Sequence, residues 1–318
     1  MKPLSKILTS VFLLLSILGN SCKKQEVPVV STTDVTDINN NSATSGGVIT
    51  DEGSGTVISR GICWSINSTP TISDNKTSDG AGAGSFVSAL VGLNEATTYF
   101  VRAYATNEAG TGYGMTLSFS TLMSDFENNF YSTIKIGQQI WMKENLKTTK
   151  YNDGSSIPLV TSNSSWNNLT TGAYCWYQND GATYKNTYGA LYNWYSVSTG
   201  KLCPSGWHVP SDAEWTSLIN QIGSTSTGGK LKETGLSHWS TPNTGATNES
   251  EFTGLPGGFR DPFQGGIFVD IGKYAYWWSS TSNDQSSSWY RALYYNSTEV
   301  LRNSFDNRTG FSVRCVKD

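Results

Sequence analysis

The chain of 318 residues has a formal net charge of −3, and only 15% of its residues are charged. This balance excludes the strongly basic surface that nucleic-acid-binding proteins use, so no nucleic-acid partner is expected. Aromatic residues make up 12% of the chain and glycine occurs 32 times, which is typical of a protein built from strands and turns.

Residues 1–21 have the features of a secretory signal peptide. Two lysines precede an apolar run at positions 7–18, and small residues then lead to Cys22. The run is too short to span a membrane stably, and a cysteine directly after it resembles a bacterial lipobox, although Gly19 stands where leucine is usual. The sequence therefore predicts that Cys22 becomes an acylated N-terminus, followed by a hydrophilic tether at 22–30. The alternative is a cleaved signal with an incidental cysteine.

Residues 31–122 read as an all-β domain. Short β-prone runs alternate with Gly, Asn and Asp turns; they are Ser42–Thr50, Gly55–Ser65, Gly84–Leu93, Thr98–Thr106 and Met115–Thr121. Leu93, Thr98 and Tyr99 stand where fibronectin type III domains place a Leu…Thr-x-Tyr corner, with one residue fewer between Thr and Tyr. This part resembles fibronectin type III-like modules, which implies a β-sandwich with a tyrosine corner.

Tryptophan marks the start of a second domain. Trp64 is the only tryptophan before residue 125, and the other ten of the 11 follow it. At this length two domains are expected, so the change in composition places the second one at 125–318.

The second domain is predicted to begin with a hairpin and to end with a series of strands. The hairpin pairs Thr133–Gly137 with Gln139–Met142, and Asn179-Asp180-Gly181 predicts a further turn between Tyr174–Tyr177 and Tyr184. Residues 191–197 fit a short helix or a strand equally well. The predicted closing strands are Tyr274–Ser280, Trp289–Asn296, Glu299–Asn303 and Gly310–Val316.

One helix is expected at residues 212–222. Ser211 and Glu214 form a capping box, in which each side chain satisfies a backbone N–H that the first turn leaves open. One stripe of the helix is apolar; it consists of Trp215, Leu218, Ile219 and Ile222. Gly223 follows as the end of the helix.

The second domain resembles a known family in five ordered motifs. They are Gly-Ala-Leu-Tyr-Asn-Trp-Tyr at 189–195, Leu-Cys-Pro-Ser-Gly-Trp-His-Val-Pro-Ser-Asp-Ala-Glu-Trp at 202–215, Thr-Gly-Leu-Pro-Gly-Gly-Phe-Arg at 253–260, Tyr-Trp-Trp-Ser-Ser-Thr at 276–281 and Gly-Phe-Ser-Val-Arg-Cys-Val at 310–316. This order resembles the Fibrobacter succinogenes major paralogous (FISUMP) domain, a family with no established activity. The helix start and the last motif are also similar to formylglycine-generating enzymes and to the C-type-lectin-like fold. The fold class implied is an all-β sandwich followed by an α+β C-type-lectin-like domain.

The resemblance also implies a disulfide bond. In C-type-lectin-like folds a cysteine near the main helix pairs with one in the last strand, which corresponds here to Cys203 and Cys315. An exported protein meets an oxidising compartment, so such a bond can form. Cys175 is the competing partner, whereas Cys63 is expected to be a small buried apolar residue.

The candidate ligand site is the aromatic and polar segment at 277–291. Its predicted binding residues are Trp278, Asn283, Asp284, Trp289 and Arg291, because sugar faces stack on exposed rings while amide, carboxylate and guanidinium groups bond hydroxyls. Adjacent residues of a strand point to opposite faces, so Trp278 is expected to be more exposed than Trp277. The alternative is that these tryptophans form core. The calcium motif of lectins is not matched, and no metal ligand is predicted.

No catalytic constellation is evident in the sequence. The two histidines, His208 and His238, lack the motifs of a catalytic triad or a zinc site. Asp212 and Glu214 could be read as an acid/base pair, but their positions in the first turn of the helix are better explained by capping and by the positive end of the helix dipole. The chain is therefore expected not to be an enzyme, and no cofactor is expected.

These observations predict a lipid-anchored protein of the bacterial outer membrane that faces the periplasm or the cell surface. Its sandwich would be a spacer, and its second domain would bind an extracellular glycan or protein ligand. Two alternatives stay open: an enzyme of unrecognised mechanism on a lectin-like scaffold, and a structural surface component.

Overall fold

The structure is a computed structural model that describes residues 24–223 and 225–318. The predicted signal peptide and Cys22 lie outside the described residues. In the part of the chain that the structure describes, no helix has both the length and the apolar character needed to cross a membrane.

The N-terminal part is a sandwich of two antiparallel sheets. One sheet has the order β1-β2-β5, and the other has the order β4-β3-β6-β7, with β8 also paired to β6. The strands are β1 (Val29–Thr36), β2 (Ser42–Asp51), β3 (Ser59–Ser65), β4 (Asn75–Lys76), β5 (Gly84–Val91), β6 (Thr98–Asn107), β7 (Gly110–Tyr113) and β8 (Leu117–Ser120). All five predicted runs contain a strand, which confirms the all-β class. Strands β1, β4 and β7 were not predicted from the sequence.

The sandwich core lies between the facing sides of these sheets. Ile49 of β2, Ile62 of β3, Leu90 of β5 and Val101 of β6 are all at most 2% exposed and belong to one cluster. Tyr99 is buried as well, and its hydroxyl oxygen accepts a hydrogen bond from the backbone N–H of Asn94 at 3.0 Å. This bond pins the connection before β6 to the core, as the predicted tyrosine corner requires.

The C-terminal part, residues 123–318, mixes short helices with several small sheets. Its elements are β9 (Met123–Ser124), β10 (Phe130–Tyr131), β11 (Thr133–Ile136), β12 (Gln139–Met142), α1 (Asn163–Asn167), β13 (Tyr174–Cys175), α2 (Gly181–Tyr188), β14 (Leu191–Tyr192), α3 (Trp194–Val197), β15 (Trp207–His208), α4 (Asp212–Ile222), α5 (Thr227–Leu231), β16 (Gly257–Asp261), β17 (Ile267–Ile271), β18 (Tyr274–Ser282), β19 (Ser287–Tyr294), β20 (Val300–Asp306) and β21 (Val316–Lys317). The largest sheets are β18-β19-β20 and β11-β12-β21-β15.

Helix α4 begins at the predicted capping box. The Ser211 hydroxyl accepts from the Glu214 backbone N–H at 3.3 Å, and the Glu214 carboxylate accepts from the Ser211 N–H at 2.7 Å. Trp215 and Leu218 are buried, and the Trp215 indole N–H points at the backbone oxygen of Trp278 in β18. The helix therefore lies against the β18-β19-β20 sheet.

Other local predictions were wrong or incomplete. The predicted turn at 179–181 joins no strands, because the Asp180 carboxylate accepts from the Thr183 N–H and starts helix α2. Residues 191–197 contain both a short strand and a helical turn, β14 and α3. Of the predicted strand at 310–316, only its last residue lies in β21.

The disulfide bond between Cys203 and Cys315 is confirmed. It joins the segment before α4 to the last strand, across 112 positions of sequence. Cys63 and Cys175 are both buried free thiols, and burial raises the pKa of Cys175 to about 12 despite the nearby Arg260 charge.

Candidate functional site

The predicted exposure of Trp278 is wrong. Trp277 is 1% exposed and Trp278 is 0% exposed. The two rings do point to opposite faces of β18, but both faces of this sheet are covered. Trp277 packs with Trp215 and Phe252 on the α4 side, whereas Trp278 packs with Phe311 on the other. Trp278 therefore belongs to the core and is no ligand platform.

Arg291 and Trp289 also serve the fold. Arg291 is 1% exposed, and its guanidinium donates to the Asp212 carboxylate at 2.7 Å. Arg302 holds the same carboxylate at 3.0 Å and lies 3.6 Å from the centroid of the half-buried Trp289 ring. Burial opposes ionisation of Asp212, but hydrogen bonds from Arg302 and Arg291 outweigh it and lower the pKa of the carboxyl. This network ties α4 to β19 and β20, so Arg291 is not free to bind a ligand.

Asn283 and Asp284 are exposed, as expected for binding residues, but they form the tip of the β18–β19 hairpin. The Asp284 carboxylate accepts from the backbone N–H groups of Ser286 and Ser287 at 2.7 and 2.8 Å. Bonds from the Ser287 hydroxyl and from Ser286 lower the pKa of Asp284. These two polar residues therefore shape the hairpin loop, and the predicted five-residue site does not assemble.

A polar groove of about 390 Å³ begins at this same loop. Three further elements complete it: the end of α1, the exposed side of α3 and the turn after β20. Its lining residues are Asn167, Asn168, Leu169, Thr170, Tyr195, Gln285, Ser286, Asp306 and Arg308. We call this site the Arg308 groove. Amide, hydroxyl, carboxylate and guanidinium groups thus face one open surface.

A bidentate ion pair forms one side of the Arg308 groove. Arg308 donates from Nε and Nη2 to the two carboxylate oxygens of Asp306, both at 2.8 Å, and from Nη1 to the backbone oxygen of Asn167 at 2.9 Å. Burial opposes ionisation of Asp306, but the Arg308 bonds outweigh it and lower the pKa of the carboxyl. The two charges cancel locally, so the groove favours a ligand with no net charge.

Asn307, between these two residues, holds the walls of the groove together. It is 2% exposed, and its side-chain oxygen accepts from the Ser288 hydroxyl at 2.7 Å. Its backbone N–H donates to Ser286, and its backbone oxygen accepts from Trp194 at the start of α3. The hairpin loop, α3 and the turn after β20 are therefore fixed to one another, which makes the groove preformed.

An exposed aromatic ring lies beside the groove. Phe263, at the tip of the β16–β17 hairpin, is 66% exposed. Its ring centroid lies 5.6 Å from the Arg308 guanidinium and 5.9 Å from the Phe305 ring. The Asp261 carboxylate accepts from the Phe263 backbone N–H at 2.8 Å and holds the tip in place. The hairpin tip thus presents an exposed aromatic ring beside polar groups.

The Arg308 groove and Phe263 were not predicted from the sequence. The local signal was available in Asp-Pro-Phe-Gln-Gly-Gly at 261–266, where an aromatic residue stands in the middle of a turn. Gly265 and Gly266 both have φ near +79°, a conformation that glycine adopts without strain. The rest of the Arg308 groove comes from segments up to 141 positions apart, and no pattern along the chain indicates that they meet.

The histidines lie elsewhere, each beside a carboxylate. His208 bonds Glu214 at 2.8 Å and Asp318 at 2.6 Å, and His238 bonds Glu233 at 2.8 Å. Within residues 24–223 and 225–318, no three His, Cys, Asp or Glu side chains are grouped closely enough to hold a metal ion.

The sequence of this part matches a known family. The family model of the Fibrobacter succinogenes major domain matches residues 134–317, more than half of the chain. The chain belongs to this family. The match includes every lining residue of the Arg308 groove and Phe263, so the groove lies within the Fibrobacter succinogenes major domain. A search of curated proteins finds no match.

Solved structures share only limited likeness with the chain. The sensor domain of the anti-sigma factor RsgI4 from Pseudobacteroides cellulosolvens is 13% identical, with 30% of this chain and 95% of that one covered and a TM-score of 0.23. A fibronectin type III domain from the human KIAA0970 protein is 12% identical over 29% of this chain and 72% of that one, with a TM-score of 0.21. TM-scores this low support no conclusion about function.

Proposed function

We propose that the Fibrobacter succinogenes major domain of this chain binds a neutral extracellular glycan in the Arg308 groove, without turnover. The observation that carries the proposal is the exposed Phe263 ring beside the Asp306–Arg308 pair. The C–H groups of a sugar face are attracted to the negative face of an aromatic ring. Paired carboxylate and guanidinium groups, with the amides of the groove, bond vicinal hydroxyls.

The rest of the chain would present this domain outside the cytoplasm. In this proposal Cys22 carries acyl chains in the outer membrane, and the sandwich is a spacer between the membrane and the binding domain. The disulfide bond supports export to an oxidising compartment. The same bond, from before the main helix to the last strand, supports the proposed C-type-lectin-like architecture.

A glycan-array screen of the purified protein tests the binding proposal. Phe263→Ala should weaken binding of any glycan hit by about tenfold or more, since a stacking contact worth about 1.4 kcal/mol changes the dissociation constant tenfold. Because the ring is exposed, the melting temperature should change little. Arg308→Gln should also weaken binding.

Phe126→Ala is the matched control. Phe126 is 52% exposed and has the Lys150 ammonium 5.6 Å from its ring centroid, but it lies outside the Arg308 groove. Its substitution should leave glycan binding unchanged. Equal loss of binding in Phe126→Ala and Phe263→Ala, or no glycan hit for the wild type, would contradict the proposal. Release of product from a bound glycan would show an enzyme instead.

A further inference from the structure

Three cationic side chains are buried in the C-terminal part without a carboxylate partner among the described residues. Lys232, Arg260 and Arg314 are each at most 1% exposed, and their hydrogen bonds go to neutral oxygens. Lys232, for example, donates to three backbone oxygens at 2.9 to 3.0 Å. A buried charge without a counter-charge is costly, so each of these sites raises the question of what neutralises it.

Arg314 borders a cavity. The cavity has a volume of about 130 Å³, whereas about 10–15 Å³ on this measure holds one water molecule. A small polyatomic ligand therefore fits. Its lining residues are Lys143, Glu144, Asn145, Thr187, Thr253, Leu255 and Arg314.

The guanidinium of Arg314 is only partly used by the protein. Its Nε donates to the Asn145 side-chain oxygen at 3.0 Å, its Nη2 donates to the backbone oxygen of Thr253 at 3.0 Å, and its Nη1 donates to that of Phe252. These are three bonds from a group that carries five N–H donors. Burial lowers the pKa of Arg314 to about 9, although the negative charge of Glu144 opposes this effect, and the group is still charged at neutral pH.

Lys143 adds a second positive charge to the cavity. Its Nζ lies 3.3 Å from Glu251, whose side chain is 66% exposed, so water screens that pair. The one carboxylate in the lining is Glu144, which already accepts the backbone N–H of Ser132 at 2.8 Å. Glu144 keeps its negative charge and faces Arg314, so the lining carries two cations and one carboxylate, a net charge of one positive unit.

We propose that this cavity binds a small oxyanion, either a carboxylate or a sulfate group. The two unused N–H groups of Arg314 and the Lys143 ammonium would donate to its oxygens, which is the geometry that guanidinium and oxyanion groups favour. Thr187, which also lines the cavity, would add a hydroxyl. This site is distinct from the Arg308 groove and does not depend on the function proposed for it.

The test is a titration of the purified protein with acetate and with sulfate at constant ionic strength, chloride being the replaced anion. Isothermal calorimetry and the melting temperature should both show saturable binding at one site. Lys143→Met should weaken it by about tenfold, since a charge-assisted hydrogen bond is lost. Arg314 itself is left intact because its substitution would unfold the domain.

Lys230→Met is the matched control. Both lysine side chains are 28% exposed and pair with an exposed glutamate, Lys230 with Glu249 at 3.7 Å, but Lys230 does not line the cavity. Equal effects of the two substitutions, or no saturable binding of acetate, of sulfate or of a uronate-containing oligosaccharide, would overturn the proposal. A parallel titration with a uronate-containing oligosaccharide shows whether the bound oxyanion is the acidic group of a glycan or a free anion. Lys143-dependent binding of the oligosaccharide alone assigns the site to the acidic group of a glycan, and binding of acetate or sulfate assigns it to a free anion.

Discussion

Trp278 donates its indole N–H to the backbone oxygen of Tyr192 at 2.9 Å. This bond joins β18 to β14 through the middle of the C-terminal part, and the ring that makes it is fully buried. Trp277 makes the equivalent bond on the other face of the sheet, to the side-chain oxygen of Asn145 at 2.8 Å. Each tryptophan of the pair thus fills one core and satisfies one buried acceptor.

Trp278→Ala and Trp277→Ala should therefore each destabilise the C-terminal part by about 3–5 kcal/mol. Urea unfolding followed by tryptophan fluorescence measures this effect, because ten of the 11 tryptophans lie in that part. Trp289→Ala is the control, since its ring is only half-buried and its loss should cost less. A Trp278→Ala protein as stable as the wild type would refute the core assignment.

Replacing Cys203 and Cys315 together by alanine should lower the free energy of unfolding. The closed loop spans 112 positions, for which the chain-entropy model predicts about 4–5 kcal/mol, and residual structure in the unfolded chain reduces that value. Denaturant unfolding of the double variant measures the loss. Peptide mapping without reductant provides the check on pairing, and a peptide that joins Cys175 to either cysteine would contradict this bond.

Lys232→Met should destabilise the fold by about 3 kcal/mol. The substitution keeps the length of the side chain but leaves the backbone oxygens of Thr244 and Ser297 without a donor. The oxygen of Tyr294 loses one of two donors, since it also accepts from the Ser297 N–H at 3.3 Å. Each buried unpaired acceptor costs about 1–3 kcal/mol. Lys230→Met, two positions earlier and partly exposed, should change stability by less than about 0.5 kcal/mol. Equal melting temperatures for the two variants would show that the three oxygens do not need Lys232.

The contribution of His208 to stability should depend on pH. Burial opposes its protonation, but hydrogen bonds to Asp318 and Glu214 and the charges of both outweigh it and raise the pKa of the imidazole. Because the pKa of His208 is higher in the folded state than in the unfolded state, protonated His208 stabilises the fold. This stabilisation is fully present below about pH 6.5, the pKa of an unfolded-state histidine, and is lost as the pH rises through the pKa of the folded state.

The comparison of wild type with His208→Gln isolates this contribution. The melting temperature of the wild type should exceed that of His208→Gln by more near pH 6 than near pH 9. Because the imidazole is 40% exposed, screening limits the difference to less than about 1 kcal/mol. An advantage that grows with pH would contradict the assigned direction.

Cys22→Ala should leave the protein unacylated and change its retention by membranes. The reason is the proposed lipidation of this thiol after signal cleavage. Cells grown with labelled palmitate provide the measurement, with fractionation as the second readout. Label that persists in the variant would show that Cys22 is not the anchor.

Local sequence determined the elements whose cause lies within a few residues. The capping box of Ser211 and Glu214 starts α4 because both partners are three positions apart. The alternation of side chains in β18 was equally local, and it correctly placed Trp277 and Trp278 on opposite faces. The disulfide of Cys203 and Cys315 followed from family resemblance, since residues 112 positions apart carry no local signal of contact.

Only the tertiary structure decided which faces are buried and which residues form a site. The alternation of side chains along a strand predicts that two adjacent residues point to opposite faces. Whether each residue is buried depends on what packs against its face, and β18 has a hydrophobic core on both sides. The Arg308 groove forms because the fold brings Asn167 within hydrogen-bond distance of Arg308. The Arg314 cavity forms because the fold brings Lys143 and Arg314 into one lining. Residues this far apart in sequence are brought together only by the packing of the whole domain, so no local pattern indicates that they are neighbours.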